Sequence, residues 1–219
     1  MSTALEVTGF FMCLIGWVLT GLAVANDYWK ISSIQGNVIV SNRLYENLWH
    51  ACGEDSTGKA NCQDFQSMLA LPVHIQACRA LVIIALLLGL VGLVLSTMGL
   101  KCIKIGSKTE ESKGKTMVIG GIIFLLGGLC TMVGVSWYAA RVVSEFNDPF
   151  YGGVRFELGT GLYIGWAGAA LCMLGGGFQC SAYQRFSKSK EKGAYYPAGK
   201  PQTIYTTAQS NAETSKAYV

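Results

Sequence analysis

The chain predicts a membrane α+β protein: four hydrophobic spans carrying a small antiparallel sheet on the outer side. Three observations carry that reading. Only 14% of the 219 residues are charged, against roughly 25% in ordinary soluble domains. Four uncharged apolar runs occur, Thr8–Ala25, Leu81–Leu100, Met117–Ser136 and Thr160–Cys180. At about 1.5 Å rise per residue, each crosses a hydrocarbon core of roughly 30 Å. Between the first two runs, β-branched and aromatic stretches alternate with turn residues and end on a pair of cysteines, NLWHACGEDSTGKANC.

The first span begins in a leader whose Ala23-Val24-Ala25 has the small-x-small form of a cleavage site. The leader has no Lys or Arg, however, and its one charged side chain is Glu6, so a retained span is expected. Four spans place both termini on one side. Basic residues in short loops set which side. Lys101–Lys115 holds five lysines against Glu110 and Glu111, whereas the long first loop, 26–79, holds four basic residues. Both termini and the middle loop are therefore expected to be cytoplasmic, with loops 26–79 and 139–159 outside. The net charge of +4 belongs to the cytoplasmic side and gives no reason to expect a nucleic-acid partner.

In the first loop, Tyr28–Ile31, Asn37–Val40 and Leu44–Ala51 read as strands, with turns at Gln35-Gly36-Asn37 and Asp55–Gly58. Outside the cell Cys52 and Cys62 form a disulfide, stapling a sheet too small for its own core. A zinc site built from Cys52, Cys62, His50 and His74 has no common ligand spacing, so no metal is expected and both histidines are read as surface or loop residues. Cys78 is read as a free, packed thiol.

The second span enters the membrane behind Asp64–Ala77, which reads as a short outer helix broken near Pro72. None of the four apolar runs contains Asp, Glu, Lys, Arg or His, so nothing charged is expected to cross through the bundle. Their glycines (Gly89, Gly92, Gly120-Gly121, Gly127-Gly128, Gly175-Gly176-Gly177) suit close helix packing. No nucleophile–base–orienter set occurs, so neither catalysis nor a cofactor is expected. Residues 1–184 form the four-span domain. The tail 185–219 is expected to be disordered, with Arg185, Lys188, Lys190 and Lys192 suited to anionic lipid. Cys102 and Cys180, with Cys172 behind them, are juxtamembrane candidates for palmitoylation. The terminal Tyr218-Val219 has the form of a PDZ-groove ligand.

Trp29, Asn47-Leu48-Trp49, Cys52, Cys62 and Arg79 together resemble the W–xLW–C–C signature of the claudins. Phe146-Asn147-Asp148-Pro149, Glu157-Leu158-Gly159 and the Tyr-Val ending extend the resemblance over all but the middle of the tail. It is nearest to the channel-forming branch. It implies a left-handed four-helix bundle under a five-stranded sheet, four strands from the first loop and one from the second. It also implies tight-junction strands in the plasma membranes of epithelial cells, assembled with itself and other claudins in cis and in trans. Ions would then pass between cells, outside the spans.

On that reading Asp55 is the selectivity carboxylate and Asp64 supports it, with Glu46 and Glu54 adding to the field. These four acids against Lys59 leave the stretch 46–64 at −3, suited to permeant cations. Counting outward from opposed cysteines sets Lys59 across from Asp55, where the channel pattern has an apolar residue; Lys59 would then moderate the selectivity. The resemblance makes Met68 a knob entering a neighbour's pocket of Phe146 and Leu158, loosened by Asn147 where a second aromatic is usual. Phe150 and Tyr151 are candidates for contact with the opposite cell. A barrier-forming claudin is the alternative within the family, and a tetraspan adhesion or auxiliary subunit the alternative outside it.

Overall fold

The computed structural model describes residues 2–33, 43–55, 57–65, 71–100, 110–150 and 152–194. The expected strand Asn37–Val40, and Met68, Tyr151, Cys102, Tyr218 and Val219, lie outside them. Four helices form, α1 (Ser2–Ala25), α2 (Val73–Gly99), α3 (Glu110–Asn147) and α4 (Thr160–Ala194), each with a stretch long and apolar enough to span a bilayer. Phe11, Ile15, Val18 and Leu22 on α1, and Ile119, Ile122, Leu126, Leu129 and Val133 on α3, point outward. Glycine and small residues turn inward instead. The helices associate through close backbone approach rather than a hydrophobic drive. α1 packs chiefly on α4, α2 on α3, and α3 on α4.

The helices run further than the hydropathy predicts. α2 starts directly after Pro72, whose ring fixes φ and supplies no N–H to leave unpaired. The stretch Val73–Ala77, expected in a separate outer helix, therefore belongs to the span, and Asp64 ends a strand. α4 continues to Ala194, so the tail expected to be disordered from residue 185 is helical for its first part. Polar residues at those ends carry no lipid signal but keep helical backbone geometry.

Above the bundle lies one antiparallel sheet in the order β4-β3-β2-β1-β5, with β1 Lys30–Ser32, β2 Arg43–Glu46, β3 His50–Glu54, β4 Ala60–Asp64 and β5 Phe156–Leu158. Four strands come from the first outer loop and one from the second. Leu44–Ala51 is not the single strand expected of it. The Asn47 side-chain oxygen accepts the amides of Trp49 (2.7 Å) and His50 (2.8 Å), an Asx turn that reverses the chain between β2 and β3.

α3 is the link between membrane and sheet. At 38 residues it is about 57 Å long, and its outer turns place Tyr138, Ala139 and Val142 against Trp29, Leu48, Ile75, Cys78 and Leu162. Trp29 sits edge-on to Tyr138 with ring centroids 5.2 Å apart and donates Nε1–H to the Ala23 carbonyl at 2.7 Å. β5 closes onto the entry to β1 through Gly159 N–H to the Trp29 carbonyl, 2.9 Å. A Cβ on Gly159 would overlap the Tyr28 carbonyl, so only glycine permits that approach.

Candidate functional site

The outer hairpin of β3 and β4 is built on its disulfide. Cys52 pairs with Cys62 in register and the two are bonded, so neither sulfur is a thiolate able to hold a metal beside His50. From there the pairing runs Gly53 to Asn61 and Glu54 to Ala60. Asp55 donates its N–H to the Lys59 carbonyl at 3.0 Å, and Gly58, at φ +76°, closes the turn. Asp55 and Lys59 thus face each other across the tip, both exposed.

Strand alternation sorts the acids by face. His50, Cys52 and Glu54 share one face with their partners Asp64, Cys62 and Ala60, and with Tyr45 and Arg43 across β2. Asp64 is 95% exposed there. Glu46 lies on the other face and is committed: its carboxylate is 2.6 Å from Lys30 Nζ, directly opposite it on β1. Lys30 also stands over the Phe156 ring at 4.3 Å. The field of Glu46 is therefore offset locally, while Glu54, Asp55 and Asp64 reach water.

The signature residues hold this hairpin over the bundle. Leu48 is fully buried, and Arg79 donates Nε–H to its carbonyl. The Arg79 guanidinium also lies 5.1 Å from the Trp49 ring and 5.6 Å from Phe65. A buried cation with one backbone acceptor and two ring faces is well compensated. Asn47, besides closing its turn, donates Nδ2–H to Asp27 Oδ1 at 3.1 Å. His50 joins it, with Nε2 3.0 Å from the same oxygen and Nδ1 4.0 Å from Asp64. The expectation that His50 merely sits in the loop is corrected here: it links two carboxylates. Asp27 and His50 are 23 residues apart, which no local pattern reveals. Burial, then Tyr28 and the Asp27 and Glu54 carboxylates, raises the Tyr45 hydroxyl above its ordinary range.

Phe146 and Leu158 come together. With Val142, Val143, Phe156 and Tyr163 they line a concavity of about 270 Å³ on the outer flank of the sheet. Phe150 is 93% exposed on the second loop. Cys180 turns its thiol toward the Val118 carbonyl of α3, 3.8 Å away. Cys172 is buried against Cys13 between α1 and α4, where an acyl chain has no room. Cys78 is free and buried, donating to the Gly134 carbonyl at 3.2 Å.

Residues 3–179 match the PMP-22/EMP/MP20/Claudin family. Mouse Claudin-15 is 47% identical over 176 residues, 80% of this chain and 78% of the relative. The chain belongs to the claudin family. Other claudins are similar over comparable lengths. Mouse Claudin-19 is 44% identical over 82% of this chain and 81% of its own, and rat Claudin-1 is 39% identical over 91% and 96%. This claudin is accordingly a multi-pass membrane protein of the tight junction, a structural component rather than an enzyme, that interacts with other claudins.

Proposed function

We propose that this claudin builds a paracellular pathway selective for small cations, Na⁺ above all, between epithelial cells. The observation that carries the reading is the disulfide-fixed hairpin that holds Glu54, Asp55 and Asp64 at the water-exposed outer end of the sheet. Carboxylates along a narrow wet passage compensate a partly dehydrated cation and repel anions. Similarity to Claudin-15 supports the same reading. The termini face the cytoplasm, the Tyr218-Val219 ending engages a PDZ junction scaffold, and the basic stretch from Arg185 meets membrane lipid. Side-by-side assembly seats Met68 of one subunit in the neighbour's concavity between Phe146 and Leu158. Phe150 and Tyr151 meet the opposite cell.

A second reading, a sealing claudin, has one specific observation in its favour: the exposed ammonium-bearing Lys59 directly across from Asp55. Expression in a claudin-poor epithelial monolayer separates the cases. Freeze-fracture strands with dilution potentials favouring Na⁺ over Cl⁻ support the pathway. Strands with raised resistance and no charge preference support the seal. Absence of strands supports a non-junctional auxiliary protein.

A further inference from the structure

We propose that the cleft between the sheet and the outer ends of α2 and α3 holds the phosphocholine headgroup of a lipid in the adjoining leaflet, its phosphate at Arg141 and its quaternary ammonium at Glu145. The proposal is independent of the cation-pathway reading. The juxtaposition that carries it is one cation and one anion, about a helical turn apart on α3, lining a partly aromatic cavity at the height of the membrane surface.

The cavity measures about 270 Å³, below the roughly 300–1,000 Å³ of sites that enclose drug-sized ligands, so it suits a headgroup rather than a whole lipid. Arg141, Glu145 and Tyr138 of α3 line it together with Phe65, and the Lys30–Glu46 pair bounds it at the sheet. That pair, 2.6 Å apart, neutralises itself. Arg141 and Glu145 differ. They stand at a spacing where opposite charges commonly meet, yet no ion pair holds either of them to another described residue. Arg141 is exposed and Glu145 half-buried, so the cavity presents both signs of charge.

The height fits a headgroup. The apolar run of α3 ends at Ser136, and Arg141 lies about 7.5 Å further along the helix axis. Headgroup layers add roughly 5–7 Å to each side of the hydrocarbon. Trp137, exposed on the same helix, is the residue type that settles at this boundary. Glu145 lies about 6 Å beyond Arg141, and phosphocholine carries its ammonium beyond its phosphate on a two-carbon link. Phe65 and Tyr138 add aromatic surface, which favours a quaternary ammonium. An anionic lipid would set its charge against Glu145, and a bare cation would set its charge against Arg141. Only a ligand with both signs complements both residues.

The test is native mass spectrometry of the full chain in a detergent without choline, offered equal amounts of phosphatidylcholine and phosphatidylglycerol with the same acyl chains. Three variants accompany the parent: Arg141→Gln, Glu145→Gln, and Arg43→Gln, which removes an exposed cation from β2. The parent should retain phosphatidylcholine over phosphatidylglycerol by about two- to fivefold, as expected of exposed charge contacts. Glu145→Gln should lose that preference while keeping phosphatidylglycerol. Arg141→Gln should weaken both lipids, and Arg43→Gln should match the parent. General destabilisation would not give two neighbours on one helix such different signatures. A parent that retains phosphatidylglycerol equally or better overturns the proposal, as does an Arg141→Gln or Glu145→Gln chain that behaves like Arg43→Gln. Photolabelling of the parent gives a readout that needs no variant: a phosphatidylcholine with a photoreactive headgroup should label the peptide Tyr138–Glu145. Labelling confined to other peptides overturns the site.

Discussion

Replacing Gly175 by Ala should separate α1 from α4, whereas the same change two residues later should not. A Cβ at Gly175 would lie 2.7 Å from the Gly9 carbonyl oxygen, 2.7 Å from Cys13 Sγ and 2.8 Å from Cys13 N. Carbon contacts settle at about 3.5–4.0 Å, so the helices must part by roughly 0.7–1.3 Å. Two of the three obstacles are backbone and cannot rotate aside. The seam is reciprocal: a Cβ on Gly9 would lie 2.9 Å from the Gly175 carbonyl, and Gly16 and Gly168 block each other in the same way. Gly177 has nothing within 4 Å of its virtual Cβ. Any conformational gain of Ala over Gly, about 0.5–1 kcal/mol, is common to both variants, so their difference isolates the packing. Overpacking costs about 1–3 kcal/mol, which for a chain of this length moves the melting midpoint by about 4–8 °C at the middle of that range. The assay is thermal unfolding in micelles with a thiol-reactive dye, because Cys13 and Cys172 are buried in this seam and label only as it opens. Gly175→Ala should release them at lower temperature than Gly177→Ala. Indistinguishable midpoints would refute the reasoning that backbone approach holds α1 to α4.

Other consequences follow from the same packing. Asn47→Ala removes the acceptor for the amides of Trp49 and His50 and should cost about 2–4 kcal/mol, read as faster hydrogen exchange at those two amides than elsewhere in the sheet. Cys52→Ser with Cys62→Ser opens a loop of separation 10 and should destabilise the outer sheet by about 2.5–3 kcal/mol, seen as protease cleavage of the hairpin while the helical circular dichroism persists. Ser96→Ala leaves the buried Gln179 Oε1 without its 3.0 Å donor and should cost about 1–2 kcal/mol in micelle unfolding. Pairing it with Gln179→Leu should recover part of that loss.

How much of this was legible in the sequence depends on the range of the signal. Hydropathy finds a span wherever about 20 apolar residues run together. It cannot see that α3 continues to Asn147 and carries the sheet, because Arg141, Ser144, Glu145 and Asn147 interrupt the apolar run there, around the positions at which Tyr138 and Val142 join the cluster with Trp29. The cystine and the Asp55–Lys59 opposition were readable because a hairpin's register follows from counting along a fixed period. The β2–β3 reversal at Asn47 was not, since Leu44–Ala51 has strand composition and one side-chain oxygen turns it. Gln179 is hidden for a different reason: within an apolar run it passes as a neutral residue, yet it is fully buried between Ser96 and Cys13. Of the four acids chosen by proximity in the sequence, Glu46 proves to be held by Lys30, a partner 16 positions upstream in another strand. The Asp27–His50–Asp64 line has the same origin, three segments brought together only by the sheet.

On the proposed function, the hairpin's carboxylates set cation preference and Lys59 restrains them. The most direct measurement is the Na⁺/Cl⁻ permeability ratio from dilution potentials in three monolayers, expressing the parent chain, Asp55→Asn and Lys59→Val. The two substitutions should move the ratio in opposite directions, down for Asp55→Asn and up for Lys59→Val relative to the parent, with strand networks alike in all three. Equal ratios in the three lines, with resistance raised in each, would contradict it and make the hairpin a stapled edge of a seal.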